Sequence, residues 1–170
     1  MGKTSTMTCF LLHFMLFGNP GATSSIIANK DKTAQEILDK AIIVYKHLPM
    51  WMQSGVVSLS KNFFRLESGS QVFARNASST AATGSSNALA ILDEFGKLPP
   101  SKQELIWASV YPTLSSFSAA RCIVMSTPEG RHNRFYKIWD DAINGRNSFI
   151  PFKVEYWKIP EHATPEWVAE

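Results

Sequence analysis

The chain of 170 residues predicts an α/β fold, a mostly parallel sheet flanked by helices with a β-hairpin insertion. Three observations carry this. Two apolar runs, Ala88-Leu89-Ala90-Ile91-Leu92 and Arg121-Cys122-Ile123-Val124-Met125, have the length and composition of strands buried on both faces. Stretches with helical apolar spacing alternate with such runs, the pattern of a sheet built from strand–helix units. Between residues 55 and 75 the period changes to two, as antiparallel strands require.

The elements follow in order. Residues 4–17 contain neither Gly nor Pro and run into Gly18-Asn19-Pro20-Gly21, which predicts a helix with a defined stop. Residues 24–28 form a short buried strand. Asp31 or Thr33 caps the next helix, which presents Ile37, Leu38, Ala41, Val44, Tyr45 and Leu48 on one face and ends at Leu48-Pro49. Residues 55–60, 62–66 and 71–75 are three short strands, the last two joined across Glu67-Ser68-Gly69-Ser70. After the strand at 88–92, Ser101 caps a helix through Trp107 to about Tyr111. The strand at 121–125 leads to a helix over 132–144 and a final strand at 149–154.

A hydrophobic content of 45% over this length gives one globular domain with a sizeable core. The net charge of +3 permits nucleic-acid contact without arguing for it, since no dense Lys/Arg block occurs. Cys9 and Cys122 stand far apart, which excludes a disulfide framework and any metal-ligand spacing and favours a reducing compartment. No apolar run reaches the ~18 residues of a membrane span.

Gly2-Lys3-Thr4, followed by Ser5, matches the tail of a phosphate-binding loop, G-x-x-x-x-G-K-[ST], at the start of a helix. There the lysine reaches the β- and γ-phosphates, the hydroxyl holds Mg²⁺, and backbone N–H groups wrap the phosphates. Only Met1 precedes Gly2, so the sequence predicts that the front of the loop and the first strand of the sheet are missing. Two other readings compete. Met1-Gly2 with Thr6 fits a myristoylation pattern. Residues 9–17, behind Lys3 and ahead of Gly21-Ala22, resemble a secretory apolar segment, and Asn76-Ala77-Ser78 is a formal glycosylation sequon.

Asp93-Glu94 ends a buried strand, where open α/β sheets bind ligands. Asp93 is placed to hold Mg²⁺ and Glu94 to polarise the water that attacks a γ-phosphate. An acidic pair capping the next loop is the plainer alternative. Ser126-Thr127, ahead of Pro128-Glu129-Gly130, ends a second buried strand, and its hydroxyls suit a sensor of the γ-phosphate. An ordinary strand-to-turn junction would use the same residues.

In this order the pieces resemble the ATPase domain of the large terminase subunit of tailed bacteriophages, the motor that packages DNA into procapsids. The resemblance spans nearly the whole chain: G-K-T-S at residues 2–5, Leu48-Pro49, E-S-G-S-Q-V at 67–72, A-I-L-D-E-F at 90–95, S-T-P-E-G at 126–130 and N-R-F-Y-K-I-W at 133–139. It implies a P-loop NTPase fold of the ASCE type with ATP and Mg²⁺ as ligands. Gly2, Lys3, Thr4 and Ser5 would bind nucleotide, Thr4 and Asp93 the metal, Glu94 would be the catalytic carboxylate assisted by Lys3, and Ser126 and Thr127 the coupling motif. It further implies residues 1–160 as a partial ATPase domain and 161–170 as the start of a connection toward a nuclease domain absent here. The implied partners are double-stranded viral DNA, the portal and procapsid, the small terminase subunit and further copies in a ring. The location would be the host cytoplasm, transiently on the procapsid, with no membrane.

Departures from the family pattern accompany it. The Arg-Gln usual before G-K-T is absent, and Thr83-Gly84 stands where Arg-Gly is usual. Arg75 and Arg131 are the candidates for a finger arginine, and Arg131, His132, Arg134 and Lys137 for contact with DNA or a neighbouring subunit, against a plain solvated face. The alternative function is a non-catalytic fragment or split-gene remnant. With an inner strand missing, the sequence predicts weak stability and weak or absent ATPase activity for the isolated chain.

Overall fold

The computed structural model describes residues 2–78, 86–114 and 119–155. The elements run α1 (Lys3–Phe17), β1 (Thr23–Ala28), α2 (Asp31–His47), β2 (Val56–Ser60), β3 (Phe63–Leu66), β4 (Gln71–Asn76), β5 (Leu89–Leu92), α3 (Pro100–Leu114), β6 (Arg121–Val124) and α4 (Arg134–Ile143), with short 3-10 turns at Met50–Met52 and Phe95–Lys97. The chain divides into two compact units, Met1–Tyr136 and Lys137–Glu170.

In the first unit the six strands form one mixed sheet in the order β2-β3-β4-β1-β5-β6. β4, β1, β5 and β6 are mutually parallel, while β2, β3 and β4 pair antiparallel. The expected parallel sheet with a hairpin insertion is therefore the observed architecture. The β3–β4 turn shows why Glu67-Ser68-Gly69-Ser70 works: Gly69 N–H bonds Leu66 O at 2.9 Å with Gly69 at φ +82, and Leu66 N–H returns to Ser70 O at 2.9 Å. That is a tight turn closed by a left-handed glycine, a conformation L-residues resist.

The core lies between the sheet and α1 and α2. Leu11, Leu12 and Met15 of α1 and Ala34, Ile37, Leu38 and Ala41 of α2 cluster with Ile26, Ala28, Phe64, Leu66, Val72, Ala74, Leu89 and Ile91. β5 is buried at all four residues, as its continuous apolar run requires. β6 does not have the burial on both faces expected from its apolar run: it lies at the sheet edge, with one side lacking a paired strand, and Cys122, Ile123 and Val124 are only half-buried there.

Three further expectations fail. Neither Asp31 nor Thr33 caps α2: the cap position is Lys30, without a side-chain bond, while Asp31 accepts a 3.1 Å bond from Asn76. α3 starts at Pro100, one residue before Ser101, because proline needs no N–H bond in a first turn, and it runs through Pro112 to Leu114. Its last turn is gripped by buried Asn87, which bonds Thr113 Oγ1 at 2.9 Å and Thr113 O at 3.2 Å. Residues 149–155 form no strand; Pro151 offers no N–H, and Ile150 and Phe152 stay 93% and 84% exposed.

In the second unit, α4 ends on Gly145 at φ +66, where Gly145 N–H bonds Ala142 O and Arg146 N–H bonds Asp141 O. This paired closure satisfies carbonyls the helix would leave open. The Arg146 side chain pairs with Asp140 and Asp141. Residues 161–170 and Thr83-Gly84 lie outside the described residues.

Candidate functional site

β5 delivers Asp93 and Glu94 at its C-terminal end, and β6, paired beside it, delivers Ser126 and Thr127 at the same end. Parallel pairing produces this placement, since neighbouring parallel strands end on the same side of a sheet.

Asp93 is 8% exposed. Its Oδ1 accepts a 3.0 Å bond from Glu94 N–H. Burial raises its pKa above the usual 3.8, with the Glu94 charge adding to the rise; the Glu94 N–H bond and the Lys3 and Lys97 ammonium groups pull the other way. That pull places the Lys3 ammonium within electrostatic reach of Asp93, although the two are far apart in sequence. Gly2, Lys3, Thr4 and Ser5 open α1, with Gly2 at its N-cap and no side-chain cap there. Thr4 is half-buried, while Gly2, Lys3 and Ser5 are exposed. The structure thus places Asp93 beside Glu94, with the Glu94 N–H on the Asp93 carboxylate. Thr4 and Ser5 share the helix turn of Lys3, and Thr127 is exposed after Ser126.

Glu94 adopts φ 52 and ψ 31, the one left-handed non-glycine residue among those described. For a side chain beyond Cα this costs roughly 1–2 kcal/mol, so the surroundings must impose it. They do so through the following turn. Phe95 N–H bonds Met125 O at 3.1 Å, Lys97 N–H bonds Glu94 O at 3.0 Å, and Gly96 N–H bonds Ser126 Oγ at 3.0 Å. Ser126 in turn donates to Thr127 O at 2.8 Å. Gly96 is needed for close approach: a Cβ there would lie 2.7 Å from Ser126 Oγ and 3.1 Å from Phe135 Cδ1. Glu94 Oε1 meets Lys97 Nζ at 2.8 Å, and this pair raises the Lys97 pKa. Both side chains are 43% exposed, so the pair adds little to stability.

The donor set around Asp93 is oxygen-only, which suits Mg²⁺, an ion that takes one or two carboxylates and fills its remaining positions with phosphate and water. A buried carboxylate whose charged form is disfavoured fits such an ion, because a bound cation relieves that burial. Among the described residues no group of three or more His, Cys, Asp and Glu side chains could hold a metal ion. The remaining oxygens would have to come from Thr4, substrate and water.

The basic candidates separate. Arg75 stacks over Phe73 at 4.5 Å. Arg134 pairs with Glu104 at 2.8 Å and lies 5.8 Å from the Trp107 ring. Arg131 and His132 are exposed. Sequence reasoning missed Gly96, Lys97 and Gln103. Only Gln103 left a clear trace, as a polar residue in the stripe Gln103, Ile106, Val110 and Leu114, all buried on α3.

The family terminase large subunit, T4likevirus-type, N-terminal, matches residues 1–170. The large terminase ATPase domain of Thermus phage P74-26 superposes with a TM-score of 0.70 at 23% identity, over 99% of this chain and 76% of that one. The large terminase of bacteriophage HK97 gives a TM-score of 0.72 at 20% identity, over 91% of this chain and 34% of that one. The chain thus spans about a third of the length of that whole terminase. These likenesses establish the fold, a P-loop-like mixed sheet flanked by helices. Among the described residues no helix is long and apolar enough to cross a membrane. With the family pattern matched from end to end, the chain belongs to the N-terminal domain family of terminase large subunits.

Proposed function

We propose that the domain binds Mg-ATP between the first turn of α1 and the C-terminal ends of β5 and β6, and hydrolyses it to drive viral DNA into a procapsid. The observation that carries this is the convergence of Asp93-Glu94 and Ser126-Thr127 at the same end of two paired parallel strands, with Ser126 Oγ bonded to the turn that follows Glu94. Carboxylates and hydroxyls gathered at such a strand end suit a polyphosphate with its cation.

The roles follow from position. The uncapped N–H groups of Gly2, Lys3, Thr4 and Ser5 face the phosphates, and Lys3 reaches the β- and γ-oxygens. The Thr4 hydroxyl and Asp93 hold Mg²⁺. An ion held there would supply neutralisation of the charge that develops on the transferring phosphoryl group. Glu94 orients the attacking water and takes its proton. Ser126 and Thr127 sense loss of the γ-phosphate, and the Ser126–Gly96 bond passes that signal to the turn carrying Glu94.

In this reading residues 1–160 are ATPase domain and 161–170 begin a connection onward. The partners are double-stranded viral DNA, the portal and procapsid, the small terminase subunit and further copies in a ring, in the host cytoplasm. Arg131, His132 and Lys137 are the exposed basic side chains of the candidates for DNA or a neighbouring subunit. The test is phosphate release from Mg-ATP by wild type and Glu94→Gln. Loss of a general base lowers kcat by about 10²–10⁴-fold while nucleotide binding survives. Equal and measurable rates in the two proteins would remove Glu94 from the chemistry, and no release by either would favour the non-catalytic fragment.

A further inference from the structure

Gln103 is wholly buried in α3, at 0% exposure, yet carries a polar amide. Burial of an amide is costly unless its donors and acceptor are used, and here they are. Nε2 donates to Leu98 O at 2.7 Å and to Gly96 O at 3.3 Å, and Oε1 accepts from Phe135 N–H at 3.0 Å. The orientation of the amide follows from its partners: two carbonyls need donors and one N–H needs an acceptor. Turning the amide over would break all of these bonds.

The partners lie on two different elements. Gly96 and Leu98 belong to the turn just after Glu94, and Gly96 is held from its other side by Ser126. Phe135 is the second residue of α4, whose N–H has no acceptor within its own helix. Asn133 caps the next position, with Oδ1 accepting Tyr136 N–H at 2.8 Å. The cap on Phe135 therefore comes from another helix. Arg134 beside it pairs with Glu104, the neighbour of Gln103, at 2.8 Å. The start of α4 is thus tied to α3 at two successive residues, and α3 is tied through Gln103 to the Glu94 turn. A leucine at position 103 would continue the apolar stripe but could make none of these bonds.

We propose that Gln103 is a positioning residue. It holds the turn that fixes Glu94 and links that turn to the first turn of α4, so that a shift at one is felt at the other. The proposal rests on the ATPase reading for its effect on rate, and on geometry alone for the link. Gln103→Met keeps length and apolar volume while removing every bond of the amide. In this variant the KM for Mg-ATP stays within about threefold, kcat falls by about tenfold or more, and the fall vanishes in a Glu94→Gln background. Backbone amide hydrogen exchange accelerates at least tenfold at Phe135 and across residues 96–98, with β1 and β5 unchanged. Loss of thermal stability alone, with kcat per folded molecule and exchange at Phe135 as in wild type, would overturn the proposal.

Two further arms keep the outcomes apart. If Gln103→Met does not fold, wild type decides: a non-hydrolysable ATP analogue with Mg²⁺ changes exchange at residues 96–98 and at Phe135 together, and a change in one alone overturns the link. If wild type neither binds nor hydrolyses Mg-ATP, the ATPase reading falls, and exchange in Gln103→Met still decides whether the link exists.

Discussion

Gly96→Ala tests the packing that joins the ends of β5 and β6. The new Cβ would lie 2.7 Å from Ser126 Oγ, 3.2 Å from Ser126 Cβ and 3.1 Å from Phe135 Cδ1. The first distance is about 0.8 Å inside the roughly 3.5 Å at which heavy atoms attract. Forced overpacking of this kind costs about 1–3 kcal/mol. Pushing the Ser126 hydroxyl aside also breaks its bond to Gly96 N–H, about 0.5–1.5 kcal/mol. Against this, replacing glycine by alanine restricts the unfolded chain and returns about 0.4–1 kcal/mol. The expected net loss is about 0.5–4 kcal/mol, read from urea unfolding as a lower midpoint at unchanged slope. Ser126→Ala removes the closest contact, so the double variant should fall short of additivity by about 1 kcal/mol. A loss under about 0.5 kcal/mol, or strict additivity, would refute the claim that this contact is closed.

Other outcomes follow from single residues. Burial raises the Asp93 pKa above 3.8, so below that value both folded and unfolded states are protonated and the group contributes nothing. As pH rises through 3.8 and then through the folded value, the folded state carries a buried charge and loses stability. Asp93→Asn therefore raises Tm of the Mg²⁺-free protein at pH 7, and the gain shrinks toward zero as pH falls to 3.8; an unchanged or lower Tm at pH 7 would contradict this. Cys122 as a residue is half-buried, yet desolvation of its thiol pushes it up to about 12, whereas Cys9 is exposed. Iodoacetamide at pH 8 should modify Cys9 and leave Cys122 intact in the folded protein, as peptide mass analysis will show. Ile91→Ala, at a fully buried position of β5, should cost about 2–5 kcal/mol in urea unfolding.

What the sequence disclosed was what local pattern controls. β5 could be read because a strand covered on both faces needs an unbroken apolar run, and the β3–β4 turn because Gly69 answers a specific backbone demand; β6 was legible as a strand from its apolar run, though its edge position was not. Asp93-Glu94 and Ser126-Thr127 were legible for a related reason: in a parallel sheet the strand end is the site. Features set by tertiary contact stayed hidden. The left-handed backbone of Glu94 is imposed by bonds from Met125 and Ser126, and nothing in D-E-F-G signals it. Apolar residues at 150, 152 and 154 alternate as a strand would, but pairing needs a neighbour, which no local pattern supplies. The Gln103 bonds to the Glu94 turn and to Phe135 likewise join residues far apart in sequence, which only the folded chain brings together.

The most direct test of the proposed site is nucleotide-linked stabilisation, with Tm measured against Mg-ATP concentration in wild type, Lys3→Ala and Glu94→Gln. At a hundredfold excess over Kd, binding adds about 2.7 kcal/mol, a rise of several degrees. Wild type and Glu94→Gln should both rise, since Glu94 acts on water and not on binding, while Lys3→Ala should stay flat. A rise in Lys3→Ala equal to that of wild type, or no rise in any of the three, would contradict a nucleotide site at the start of α1.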